Sequence, residues 1–117
     1  MNSSMNFDIR TSSYFEHEAK RLNKHYPSFK ADYATFLESI KKNPYQGIDL
    51  GNGLRKVRIP ITSKGKGKSG GARVITLNFL INEEKMEINL LLLYDKQKAD
   101  NFNPAALKEA LEELSLI

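Results

Sequence analysis

The stretch RVITLNFLINEEKMEINLLLLY, residues 73–94, decides the fold. Its first part, Arg73 to Ile81, is β-branched and apolar, which suits a strand. Its last part, Glu87 to Tyr94, is apolar enough for a central strand buried on both faces. Asn82-Glu83-Glu84-Lys85 between them reads as a hairpin turn, so the two strands lie side by side. Upstream, Leu54, Val57 and Ile59 sit among Arg55, Lys56 and Arg58. A strand over 54–60 places Lys56 and Arg58 on one face and Val57 and Ile59 on the other. Gly51-Asn52-Gly53 before it is a turn, and Gly65 to Gly71, with four of the seven glycines, is a loop.

The period changes towards both ends. Phe7 and Ile9 alternate with Asp8 and Arg10, the pattern of a short first strand. Ser13 stands three before Glu16, a capping-box spacing for a helix beginning near Tyr14. Phe15, Ala19, Leu22 and Tyr26 form one apolar stripe, and Pro27 ends that helix. Ser28 then precedes a second stripe of Phe29, Tyr33, Phe36, Leu37 and Ile40, which Asn43-Pro44 stops. Near the C-terminus, Asn103-Pro104 is an N-cap followed by proline at the first helical position, and Leu107, Leu111 and Leu114 mark a last helix. The predicted order is β-α-α-β-β-β-α. It describes an α+β domain with a C-terminal helix, and it agrees with the fold implied by the resemblance given below, two N-terminal helices on a small twisted, mostly antiparallel sheet. Residues 1–117 form one domain, with residues 1–6 expected as an N-terminal extension.

The chain has 117 residues, 18 Lys plus Arg, 14 Asp plus Glu, and neither cysteine nor tryptophan. Without cysteine there is no disulfide, thiolate zinc site or cysteine nucleophile. His17 and His25, the only histidines, leave little for a metal site and read as surface residues. The longest apolar run, Leu90 to Tyr94, is far short of a membrane span, and no secretory leader pattern opens the chain. The expected setting is cytoplasmic.

The net charge of +4 is unevenly spread. Residues 1–50 carry +1 and residues 83–117 carry −4. Residues 51–82 hold Arg55, Lys56, Arg58, Lys64, Lys66, Lys68 and Arg73 without a single acid, a net of +7. Such a segment meets a polyanion, nucleic acid first. Gly67-Lys68-Ser69 hints at a nucleotide-binding P-loop. That motif needs glycine where Thr62 stands, and a helix directly after it, where a strand follows. Lys56, Arg58 and Arg73 carry more weight. They lie on strands, and Arg73 comes opposite the other two if 54–60 and 73–81 pair. Cations crowded on one face call for a compensating anion, and arginines grip phosphate bidentately. The alternative is edge-strand charge that discourages aggregation. Tyr94, beside Lys96, suits stacking on a base or donating its hydroxyl. Glu109, Glu112 and Glu113 read as the solvated face of the last helix.

The string Gly65-Lys66-Gly67-Lys68-Ser69-Gly70-Gly71-Ala72-Arg73-Val74-Ile75 carries a family resemblance. With Arg55-Lys56-Val57-Arg58 before it and Leu-Leu-Leu-Tyr-Asp-Lys after it, it resembles the RelE/ParE toxin superfamily, in particular its HigB-like branch. The resemblance implies the RelE-like fold and a type II toxin that cuts mRNA in the ribosomal A site. In that chemistry the ribose 2′-hydroxyl attacks its own 3′-phosphate, with no metal and no cofactor. By the same resemblance Lys56, Arg58, Arg73, Tyr94 and Lys96 fall at catalytic positions. Arg55, Lys64, Lys66 and Lys68 would hold RNA phosphates. RelE-type enzymes have lysine where Arg58 aligns; arginine does not readily give up its proton, which leaves Lys56 as the base. The implied partners are an antitoxin, commonly a helix-turn-helix protein in this branch, and the ribosome with its mRNA; no membrane is involved. The ParE-like branch, which poisons DNA gyrase, and a degenerate RNA-binding or interaction module are the alternatives.

Overall fold

The structure is a computed structural model that describes residues 5–64 and 70–117. Lys66 and Lys68, expected to bind RNA, and most of the glycine-rich stretch lie outside the described residues. The elements are β1 (Asn6–Thr11), α1 (Ser13–His25), α2 (Phe29–Lys42), β2 (Ile48–Gly51), β3 (Leu54–Ile59), a 3-10 turn (Thr62–Lys64), β4 (Ala72–Asn82), β5 (Lys85–Asp95) and α3 (Pro104–Glu113). The five strands form one sheet in the order β1-β5-β4-β3-β2. β1 runs parallel to β5, and every other pair is antiparallel.

The α+β class and the helix pair followed by a sheet and a last helix agree with the sequence reading. Two local points differ. β2 was not among the expected strands, because Ile48 and Leu50 about Asp49 give only one alternation before the Gly51 turn. The folded domain also reaches further towards the N-terminus than expected: Asn6 pairs opposite Lys85, and Met5 packs against the core.

The sheet separates two apolar layers. On one face Phe15 and Leu22 of α1 and Phe29, Phe36 and Ile40 of α2 bury against Val57, Ile59, Val74, Ile88, Leu90 and Leu93. The Phe15 and Tyr33 rings, 5.8 Å apart, join the two helices. On the other face Ala110 and Leu114, at the end of α3, pack on Ile75, Leu91 and Leu92. β5 serves both layers because Leu91 is one residue too many in its ladder. Thr76 lies opposite Leu90, but Ile75 lies opposite Leu92. This bulge keeps Leu90 on the α1–α2 side and turns Leu92 to the α3 side. Without it, strict alternation would return Tyr94 to the side of Leu90.

Ser12 fastens the bulge to α1. Its hydroxyl accepts from the Phe15 N–H at 3.0 Å, capping the helix, and donates to the Leu91 carbonyl at 2.5 Å. The cap is therefore Ser12 and not Ser13. Ser13 instead donates its N–H and hydroxyl to Glu113 of α3. At the other end Asn103 caps α3 as expected, accepting from the Ala105 N–H at 2.8 Å.

Ser12→Ala removes the cap and leaves the buried Leu91 carbonyl unsatisfied, so urea denaturation should show a loss of about 1–3 kcal/mol. Leu91→Ala should cost about 2–5 kcal/mol in the same measurement, because Leu91 is fully buried in the layer under α3. An unchanged denaturation midpoint would contradict that burial.

Candidate nucleic-acid interface

The side of β3, β4 and β5 away from α1 and α2 carries the cations. Arg58 pairs with Arg73 across β3 and β4, and Arg73 pairs with Tyr94 across β4 and β5. Neighbouring strands lie about 4.8 Å apart, so the row Arg58-Arg73-Tyr94 crosses roughly 10 Å of sheet. Lys56 lies two residues along β3 on the same face, in the next row with Ile75 and Leu92. That next row is apolar beyond Lys56 and is where the layer under α3 begins. The cations thus line the margin of that layer.

Two like charges directly opposite one another weaken a strand pair. Arg58 and Arg73 are both half-buried, which sharpens that repulsion. Gly71 lets the two strands meet there, since a Cβ at that position would lie 2.4 Å from the Ile59 carbonyl oxygen. Arg73 donates to the Ala72 carbonyl at 3.2 Å. Lys56 Nζ stands 3.5 Å from Asn101 Oδ1. Burial pushes the Tyr94 phenol above its ordinary pKa, against the opposing pull of Arg73. Among the described residues its buried hydroxyl has no hydrogen-bond partner. Arg58 also lines a cleft of about 580 Å³ between α2 and β3, with Asp32, Ser39 and Thr62 on its walls. Such a face offers planar guanidinium forks, an ammonium and a phenol to an anion.

The other expected site residues lie elsewhere. Lys96 is in the turn after β5, its N–H bonded to the Gly71 carbonyl at 3.2 Å and its Nζ 3.7 Å from Asp100. Arg55 does not join Lys56 to hold RNA. By strand parity it shares the face of Val57, and it donates to the carbonyls of Gln46 and Gly47, both at 3.0 Å. It is a strut for the α2–β2 connection.

Lys64 is the clearest correction. The sequence placed it among the RNA-holding loop lysines, yet its side chain is 3 % exposed and its Nζ lies 2.6 Å from Asp95 Oδ1. Asp95 is fully buried and also accepts from the Tyr26 hydroxyl at 2.8 Å and the Gln97 N–H at 3.0 Å. The Lys64 ammonium stands 5.0 Å from the centre of the Tyr26 ring. This triad ties the end of α1, the 3-10 turn and the end of β5 together. No spacing in the sequence joins residues 26, 64 and 95; the only signal was an acid directly after the most apolar strand.

Among the described residues no three His, Cys, Asp or Glu side chains gather as metal ligands. No helix among them is long and apolar enough to cross a membrane. No protein-family model matches the chain.

Burial alone would push the Asp95 carboxyl up, but the hydrogen bonds from Lys64, Tyr26 and Gln97 outweigh it and hold the carboxyl below its usual range. Burial and the bond to Asp95 push the Tyr26 phenol up to about 12. A depressed carboxyl stabilises the fold above its unfolded pKa, about 4, and that stability goes as pH falls through the lower folded value. The raised phenol acts in the opposite sense, its share fading as pH rises from about 10 towards 12. Asp95→Asn should cost on the order of 3–5 kcal/mol, because it leaves the Lys64 ammonium buried and unpaired. Its stability should also fall less between pH 5 and pH 3 than that of the wild type. An equally acid-sensitive Asp95→Asn variant would contradict this account.

Proposed function

We propose that this protein is the toxin of a type II toxin–antitoxin pair, a ribosome-dependent mRNA endonuclease of the RelE/HigB kind. The observation that carries the reading is the row Arg58-Arg73-Tyr94 with Lys56 beside it, on a half-exposed sheet face within an acid-free stretch of the chain. The string around Arg73 that resembles that superfamily, and an α+β architecture of the expected kind, add support.

The chemistry follows from the side chains. A phosphate seated on Arg58 and Arg73 finds two bidentate donors, which match the charge of a pentacoordinate phosphorane better than that of the ground state. Lys56 takes the proton from the 2′-hydroxyl as its oxygen attacks the adjacent phosphorus. The bond from phosphorus to the 5′-oxygen breaks, leaving a 2′,3′-cyclic phosphate and a 5′-hydroxyl. The proton for that hydroxyl comes from Tyr94, the cross-strand neighbour of Arg73, a phenol that is protonated at neutral pH. The partners of such a protein are the ribosome with its mRNA and a neighbouring antitoxin, expected to be of the helix-turn-helix type.

Induced expression should stop growth and yield mRNA cut within codons, mapped by primer extension. Lys56→Ala should lower cleavage by about 10²–10⁴-fold as a lost general base. Arg73→Ala should lower it by about 10²–10³-fold as a lost charge stabiliser. Both variants should still sediment with ribosomes. Growth arrest with intact mRNA and inhibited supercoiling would replace the endonuclease by a gyrase inhibitor. No arrest and no cleavage, with RNA still bound, would leave only an RNA-binding module.

A further inference from the structure

A cavity of about 280 Å³ lies at the end of β5, between the first turns of α1 and the segment leading into α3. Nothing in the proposed chemistry uses it. Its walls are aromatic and apolar, with Tyr14, Tyr94 and Phe102 among them. His17, Glu18, Asn101 and Asn103 supply the polar edge, the Glu18 carboxylate being paired with Arg21. Small-molecule pockets run from roughly 300 to 1,000 Å³, so this one suits a single flat ring system rather than an entire nucleotide.

Two features join the cavity to the cationic row. Tyr94 lines it and is also the cross-strand neighbour of Arg73. Asn101 lines it and lies 3.5 Å from Lys56 Nζ. A phosphate on Arg73 therefore lies one strand away from the cavity wall, within the span of one nucleotide. Tyr94 adds a second reason to look for a ligand. Among the described residues its buried hydroxyl has no partner, and a buried polar group in that state calls for one. Single-stranded RNA is recognised by unstacked bases that lie on aromatic rings while amide and hydroxyl groups meet their edges. The wall composition is of that kind, and the adjacent cations supply the charge complementarity that an RNA backbone needs.

We propose that this cavity is a nucleobase subsite, which takes one unstacked base of the RNA strand whose phosphate lies on Arg58 and Arg73. Phe102 and Tyr94 stack on the ring, and Asn101 and His17 meet its edge. The proposal rests on the reading of the cationic row as an RNA site, but it concerns binding and does not require cleavage.

The test is direct binding of the purified full chain to a six-nucleotide RNA and to an abasic ribose-phosphate strand of equal length. Wild type should prefer the base-bearing strand. Phe102→Ala, which removes a stacking ring, should weaken that strand by about 5- to 150-fold and leave the abasic strand unchanged. Ala99→Leu, which fills the cavity, should do the same. Arg73→Ala should weaken both strands alike. Thermal melting confirms that each variant is folded, and the two cavity variants guard against the failure of either. Equal binding of the two strands by wild type, no binding of either, or indifference of both cavity variants would overturn the subsite. Selective binding without mRNA cleavage in cells would remove the endonuclease and keep the subsite. Cleavage that needs Lys56 but ignores both cavity variants would do the reverse.

Discussion

Strand β5 feeds apolar side chains into both layers of the protein, and the extra residue at Leu91 decides which layer each one enters. Up to Leu90 the even-numbered positions face α1 and α2. Beyond the bulge Leu92 faces α3, and Tyr94 follows it to stand beside Arg73. The same half-turn delivers Asp95 to the opposite side, where Tyr26 and Lys64 wait for it. The pairing with β4 beyond the bulge thus holds the phenol on the cationic face and the carboxylate on the side of the buried ion pair. Ser12 makes the arrangement cooperative, because one hydroxyl caps α1 and satisfies the bulge carbonyl.

The cationic face and the buried triad are complementary in their energetics. Arg58 opposite Arg73 brings two like charges together on a half-exposed face, which by itself weakens the strand pair. Lys64 and Asp95 are an attractive pair in a dry setting, where each would be costly without the other. A basic stretch therefore divides by environment. Lys64 turns to the interior, Arg55 turns to backbone carbonyls, and Arg58 and Arg73 lie on the sheet face away from α1 and α2. Counting charges along the chain does not separate the two groups.

Much of the fold was legible in the residues. The apolar stripes of α1 and α2, the Asn103-Pro104 cap and the hairpin of β4 and β5 follow from local periodicity and turn chemistry, which act over a few residues. The shared face of Lys56 and Arg58 follows from strand parity alone. That Arg73 comes opposite Arg58 needed only the assumption that their strands pair, and they do. Short β2 was missed because four residues, Ile48 to Gly51, hold too little alternation to mark a strand beside a glycine turn. Arg55 was misassigned because a guanidinium that binds backbone carbonyls leaves no mark on composition.

The sequence by itself determined the element types, their order and the concentration of positive charge between residues 51 and 82. These depend on local periodicity and on charge, both of which are properties of the chain read in order. Only the tertiary structure decided that Lys64 belongs to the interior, that Tyr94 joins the arginines, and that a small aromatic cavity adjoins them. Each of these depends on contacts between residues dozens of positions apart. A single bulge, invisible to any periodicity, sets the face on which the end of β5 meets them.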